Sequence, residues 1–183
     1  MSVLYSETFT GANANPIGGV WTTGSGWAAL QRISNLVDGT SGDSGAYVST
    51  VVPPNDQYSK VTLGAAFTTD GGPFVRAATG AKTHYLLDIA ASCQLYRVSA
   101  GVYTTIGAAF SHTAVIGDVY EIRAVGTTIS GWINGVQQRT VSDANIASGR
   151  FGIFISGTSL RFSSFEGGDF TTSGDTLMGQ SCL

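Results

Sequence analysis

Catalysis by a pair of carboxyl groups is the first chemistry to test against this chain. Retaining glycoside hydrolysis needs them about 5–5.5 Å apart across the sugar bond. On one strand that means acids at i and i+2 or i+4, because alternate side chains share a face. Asp118 and Glu121 are three apart, as are Glu166 and Asp169, so each pair points to opposite faces. A serine nucleophile would need a G-x-S-x-G elbow, and the chain has none. His84 lies in the β-run Thr83-His84-Tyr85-Leu86-Leu87 and His112 at a strand end. Neither has a sequence-local Asp or Ser at a useful spacing, so both read as ordinary strand residues. Cys93 reads as a small buried hydrophobe, and Cys182 stands beside the C-terminus. No C-x-x-C or H-x-x-H spacing supports zinc. The segment Asp38-Gly39-Thr40-Ser41-Gly42-Asp43 lacks the D-x-D-x-D spacing of a calcium loop and reads as a glycine-rich turn.

Saccharide binding is the chemistry the sequence supports. Such sites join an aromatic face, on which a sugar ring stacks, to planar polar side chains that bond its hydroxyls. An exposed Trp among polar residues is therefore informative. The stretch Asp118–Val125 is followed by Gly126-Thr127, which suits a type II′ turn, then by Thr128–Ile133 and Asn134-Gly135, a type I′ signal. With two-residue loops, 121 faces 132, 122 faces 131, 132 faces 137 and 130 faces 139. Trp132 then shares the outward face with Glu121, Arg123, Ser130, Gln137 and Arg139, while Tyr120, Ile122, Ala124, Ile129 and Ile133 face the core. The candidate ligand-binding residues are Trp132, Glu121, Arg123, Gln137 and Arg139. The same set also suits a covered Trp with an arginine stacked on it. Trp21 and Trp27, in a glycine-rich segment, read as loop anchors or rim aromatics.

The remaining sequence reads as an all-β frame. The expected strands are 4–9, 29–33, 46–51, 58–67, 74–78, 84–90, 94–98, 103–110, 119–125, 128–133, 136–141, 150–155 and 159–166, with turn residues between them. No convincing helix is expected; the one short candidate, 142–147, is a single capped turn closed by Gly149. Residues 1–169 form the expected domain. Residues 170–183 lack alternation and read as a C-terminal tail making an assembly contact. Gly, Ser and Thr supply 66 of the 183 residues, charged residues only 11%, and the net charge is −3. Nine scattered Lys and Arg do not make a phosphate-backbone surface, so no nucleic-acid partner is expected. No apolar run is long enough to span a membrane, and the N-terminus shows no signal-peptide pattern.

Several short motifs occur in a telling order: Glu7-Thr8-Phe9, Asp56-Gln57-Tyr58, Gly117-Asp118-x-Tyr120-x-Ile122, Asn134-Gly135, Asp143-x-x-Ile146-x-x-Gly149-Arg150-x-Gly152-Ile153 and Phe162-x-x-Phe165. Over residues 3 to 169 this resembles the concanavalin A-like lectin/glucanase superfamily, in its laminin-G-like and carbohydrate-binding-module branch. The resemblance implies a jelly-roll β-sandwich of two antiparallel sheets with the first and last strands side by side. It also implies that a saccharide site often lies on one sheet or its rim. Relatives often hold a structural calcium where the terminal strands meet, and Glu7 with Glu166 or Asp169 could supply ligands. Ser163 and Ser164 stand where such relatives carry acids, so no cofactor is expected. The glucanase relatives carry E-x-D-x-E on one strand, which is missing here.

The expected function is a non-catalytic, lectin-like component of a virion or other surface assembly, such as a phage decoration, tail or fibre protein. Its expected partners are neighbouring subunits, capsid or tail proteins, and cell-surface glycan. The alternative is a free carbohydrate-binding module or lectin; a glycoside hydrolase or lyase is disfavoured.

Overall fold

The computed structural model of the chain describes residues 1–170. Expectations about residues 171–183, Cys182 and nearly all of the tail among them, lie outside the described residues. The strands are β1 (Ser2–Glu7), β2 (Trp21–Thr23), β3 (Leu30–Ile33), β4 (Leu36–Gly39), β5 (Asp43–Val48), β6 (Gln57–Leu63), β7 (Gly71–Ala77) and β8 (His84–Asp88). They continue with β9 (Ser92–Ser99), β10 (Val102–Thr105), β11 (Phe110–Ser111), β12 (Val119–Val125), β13 (Thr128–Ile133), β14 (Val136–Ser142), β15 (Arg150–Ser156) and β16 (Phe162–Asp169). One sheet runs β14-β13-β12-β6-β16-β4-β3, with β1 also paired to β16. The other runs β10-β9-β8-β7-β15-β5-β2, with β11 also paired to β9. The first and last strands are thus neighbours, as the resemblance implied.

Alternation explains the layering. Tyr120, Ile122, Ala124, Ile129 and Ile133 of the first sheet face Val75, Tyr85, Leu87, Leu95, Ile153 and Ile155 of the second across one buried core. Each fully buried Ile, Leu or Phe in that layer stabilises by roughly 1.5–3 kcal/mol. The hairpin register of β12 and β13 is as expected: Glu121 opposes Trp132 and Ile122 opposes Gly131. The turn at Asn134-Gly135 has both residues at positive φ, 50° and 78°, as type I′ demands.

Four expectations need correction. The pairing of β13 with β14 slips by one residue between Gly131 and Trp132, so Arg139 opposes Gly131 and Ser130 opposes Thr140. A β-bulge of this kind opposes two residues to one and turns every later side chain over. The chain is free of helices among the described residues, as expected, but the single capped turn at 142–147 does not form either. Asp143 is instead a buried anchor whose carboxylate accepts hydrogen bonds from the Tyr85 hydroxyl (2.6 Å), the Asn145 amide (2.9 Å) and Arg97 (2.5 Å). The run 103–110 breaks into β10 and β11 around Ile106-Gly107. The short β2 and β4, embedded in turn-rich sequence, were not expected at all. Among the described residues no helix is long and apolar enough to cross a membrane.

Candidate functional site

The expected patch lies on the outer face of the first sheet. Glu121, Arg123 and Trp132 do come together there. The Arg123 guanidinium carbon stands 3.7 Å from the Trp132 ring centroid. Its Nε donates to Glu121 Oε1 (2.6 Å) and its Nη2 to Oε2 (3.2 Å). The Trp132 indole N–H donates to the Ser130 hydroxyl (2.9 Å). Gln137 sits opposite Trp132 and is exposed. Arg139 leaves the group: the bulge sends it toward the Ala109 carbonyl and the Gly107 turn. Farther along the face, Glu166 accepts from the Tyr58 hydroxyl (2.9 Å) and pairs with Lys60 (2.7 Å). The aromatic surface of Trp132 is therefore occupied by an arginine that is itself held by a carboxylate.

The terminal-strand acids are committed as well. Glu7 accepts from the Trp21 indole (2.6 Å) and the Tyr5 hydroxyl (2.6 Å). Trp21 begins β2 and packs edge-on against Phe165 at 4.9 Å, inside the core. Asp38 is buried and accepts from Arg161 (2.8 Å). Among the described residues no group of three or more His, Cys, Asp or Glu is arranged to hold a metal ion.

The outer face of the second sheet is different. Alternate residues of its strands form a second apolar layer: Tyr47, Phe74, Leu86 and Phe154, capped by Trp27. Gly45 makes room for that cap, since a Cβ there would meet the Trp27 ring at 2.7 Å. His84 lies in the same layer, fully buried, 5.2 Å from Trp27 and 5.1 Å from Phe74 between ring centroids. Neither of its ring nitrogens has a partner among the described residues. Burial, helped by the charge of Lys82, pushes His84 down to about 3, so it stays neutral.

Beside this layer a cleft of about 240 Å³ is lined by Asp43, Asp70, Asp88, Tyr96, Tyr103, Phe154 and Ser156. Tyr96 and Tyr103 meet edge to face at 5.8 Å, and Tyr103 leans on Phe154 at 6.2 Å. Asp43 pairs with Lys82 (3.0 Å). Among the described residues Asp70 and Asp88 have no cation. Burial, then the charge of Asp70, pushes the Asp88 carboxyl up to about 7, against a pull downward from the Gly71 amide. Sequence reasoning missed this cleft because its acids come from three separate elements. Each reads locally as a turn residue next to glycine or at a strand end.

A larger cavity of about 540 Å³ adjoins the cleft and shares Asp70 with it. His112 lines it, and its Nε2 lies 2.8 Å from Asp118 Oδ2, which corrects the reading that His112 has no nearby acid. Burial alone would raise the Asp118 carboxyl. Hydrogen bonds from Asn134, His112 and the Val115 amide hold it below the usual range instead. These bonds pin the 112–118 loop against the Asn134 turn.

No protein-family model matches the chain, and no curated protein matches its sequence. Solved structures do match. The carbohydrate-binding module CBM66 from Bacillus subtilis shares 16% identity over 82% of this chain and 92% of its own, with a TM-score of 0.65. SCLam, an endo-β-1,3(4)-glucanase of family GH16, shares 7% over 91% of this chain and 90% of its own, with a TM-score of 0.65. Galectin LEC-6 of Caenorhabditis elegans shares 13% over 73% of this chain and 95% of its own, with a TM-score of 0.52. The fold is therefore a concanavalin A-like jelly-roll sandwich. Its structural neighbours include binding modules, lectins and hydrolases, and a fold shared at such low identity does not choose among them.

Proposed function

We propose that this chain is a non-catalytic glycan-binding module whose site is the cleft on the outer face of the second sheet. One observation carries the reading: Tyr96 and Tyr103, backed by the buried Phe154, line a cleft beside the carboxyl groups of Asp70 and Asp88, which have no cation among the described residues. Sugar C–H groups stack on such rings, and sugar hydroxyls donate to such acceptors. On the opposite sheet Trp132 is the aromatic candidate, with Glu121, Arg123 and Gln137 around it. Its ring already carries Arg123, so it is the weaker platform. A glycan array on the wild type, Tyr103→Ala and Trp132→Ala separates the two. The expected result is binding that Tyr103→Ala abolishes and Trp132→Ala preserves; the reverse would move the site to the first sheet.

A hydrolytic reading has one observation in its favour. Asp88 keeps its proton to about pH 7 beside a second carboxyl group, which is how a general acid is prepared. Release of reducing ends from a β-glucan, galactan or alginate panel, lost in Asp88→Asn, would establish it. No release supports the binding reading.

The assembly half of the reading, a decoration, tail or fibre component of a virion or other surface particle, draws on the low charge. It draws also on exposed Val52 (78%), Val115 (60%), Ile116 (62%) and Val136 (61%). Light scattering on the full chain tests it: a defined oligomer supports assembly, and a monomer supports a free module.

A further inference from the structure

We propose that the cleft between Asp43, Asp70, Asp88, Tyr96, Tyr103 and Phe154 selects a saccharide carrying a free, positively charged amino group over its neutral or N-acetylated counterpart. The inference rests on the glycan-binding reading of this cleft and adds the charge of the ligand.

Three features converge. The first is the set of rings. Tyr96 stands at 83° to Tyr103, and Tyr103 at 52° to the buried Phe154, so the two tyrosines supply the accessible ring surface of the cleft. Ring faces attract ammonium groups, and tyrosine cages are a recurrent device for them. The second is charge. Three carboxylates line the cleft, and Lys82 answers only Asp43. The third is the burial of Asp88. It is nine-tenths buried, lines the cleft and has no side-chain partner among the described residues, where the amide of Gly71 supports it.

A neutral ligand would strip water from two neighbouring carboxylates and return no charge, which is costly. An ammonium returns the charge and satisfies acceptors with its own N–H donors. A divalent metal is the other natural cation, but the carboxylates are not gathered closely enough to ligate one. The size of the cleft, about 240 Å³, falls below the roughly 300–1,000 Å³ of drug-sized sites. It suits a single amino-sugar unit, with the adjoining cavity across Asp70 open to a continuing chain.

Binding of a cation is then coupled to ionisation of Asp88. The groups facing that carboxyl are Asp70 ahead of β7, Asp43 at the start of β5 with its partner Lys82 from the β7–β8 connection, Tyr96 on β9 and Tyr103 on β10. Cys93 lies behind it on β9. Burial pushes Cys93 up to about 11, and the hydroxyls of both tyrosines are raised, so all three stay protonated through neutrality. Asp88 is thus the group that changes charge near pH 7.

The test is calorimetric titration of the full chain with three probes: glucosamine oligomers, matched N-acetylglucosamine oligomers, and choline as a cation whose charge does not depend on pH. Glucosamine oligomers should bind about tenfold more tightly than the acetylated set. Choline affinity should rise between pH 5.5 and 8, and Asp88→Asn should flatten that rise and remove the amine preference. Asp70→Asn serves as a second variant should Asp88→Asn misfold, and should weaken choline binding in the same direction. Equal binding of both oligomers, lost in Tyr103→Ala but unaffected by Asp88→Asn, overturns the charge selectivity and leaves the glycan reading standing. Choline binding that depends on Asp88, with neither oligomer bound, keeps the cation and overturns the glycan reading. No binding of any probe overturns both.

Discussion

The two outer faces of this sandwich use similar residues to opposite ends. On the outer face of the first sheet the groups around Trp132 answer one another: Glu121 by Arg123, Arg123 by Trp132, Glu166 by Lys60 and Tyr58. On the second, the aromatic layer is finished by Trp27, but the adjoining carboxylates of Asp70 and Asp88 are left without a cation among the described residues. A network that satisfies itself has little to gain from a ligand. A buried acceptor held above its ordinary protonation range has much to gain. An aromatic residue among charges therefore marks a binding surface only when its partners are unspent.

The largest expected effect tests whether the outer layer of the second sheet is a true core. Phe74 is fully buried there, against Trp27 and His84. Phe74→Ala should cost about 3–5 kcal/mol in denaturant unfolding, as for an inner-core Phe. A loss under about 1 kcal/mol would mean that the layer is loosely laid on, and the cleft beside it would lose its rigid floor.

Next comes the network on the first sheet. Glu121 is 7% exposed and holds both nitrogens of the Arg123 fork. Glu121→Ala leaves that guanidinium half-buried and uncompensated, and should cost about 2 kcal/mol. Arg123→Ala together with Glu121→Ala should cost less than the sum of the single changes. Strict additivity would show that the pair is merely adjacent.

Asp88 gives a pH signature that the first sheet should lack. Its folded carboxyl is pushed up to about 7 from the ordinary 3.8. Between those values the folded state holds a proton that the unfolded chain has released, so stability falls as pH rises through that window and levels off above it. Asp88→Asn cannot ionise. It should be more stable than the wild type at pH 8, by about 1–3 kcal/mol, and nearly equal to it at pH 4. Parallel melting curves at both pH values would refute the uncompensated charge.

The first sheet was far more legible in sequence than the second. Gly126-Thr127 and Asn134-Gly135 are strong local turn signals, and the alternation around them fixed which side chains share a face. What they could not announce was the slip between Gly131 and Trp132, because a bulge on β14 leaves no glycine or proline to mark it. It moved Arg139 from the patch to the Gly107 turn. The cleft was invisible for another reason. Asp43 reaches Asp70 and Asp88 only once β15 pairs with both β5 and β7 across long sequence separations, and the same assembly brings Phe154 of β15 to the β9–β10 hairpin that holds Tyr96 and Tyr103. His112 and Asp118 were six residues apart and still unreadable as a pair, since only the loop's return toward Asn134 joins them.

Trp132→Ala probes the smallest energy and separates the faces most directly. The ring is half-buried, covered by Arg123 on one side and bonded through its N–H to Ser130. Removing it forfeits a cation–π contact worth about 0.5–2 kcal/mol and one hydrogen bond of about 1 kcal/mol, with no sealed cavity left behind. The total should stay near 2 kcal/mol, well short of the roughly 3–5 kcal/mol of a buried Trp. A cycle with Arg123→Ala should return a coupling of about 1 kcal/mol, which measures how far the arginine has already spent the ring. If the melt is little changed and glycan binding is intact, Trp132 is a surface closed on itself and the ligand belongs to the tyrosine cleft. If binding falls while the coupling is near zero, the arginine is a removable cover, and the first sheet regains its claim.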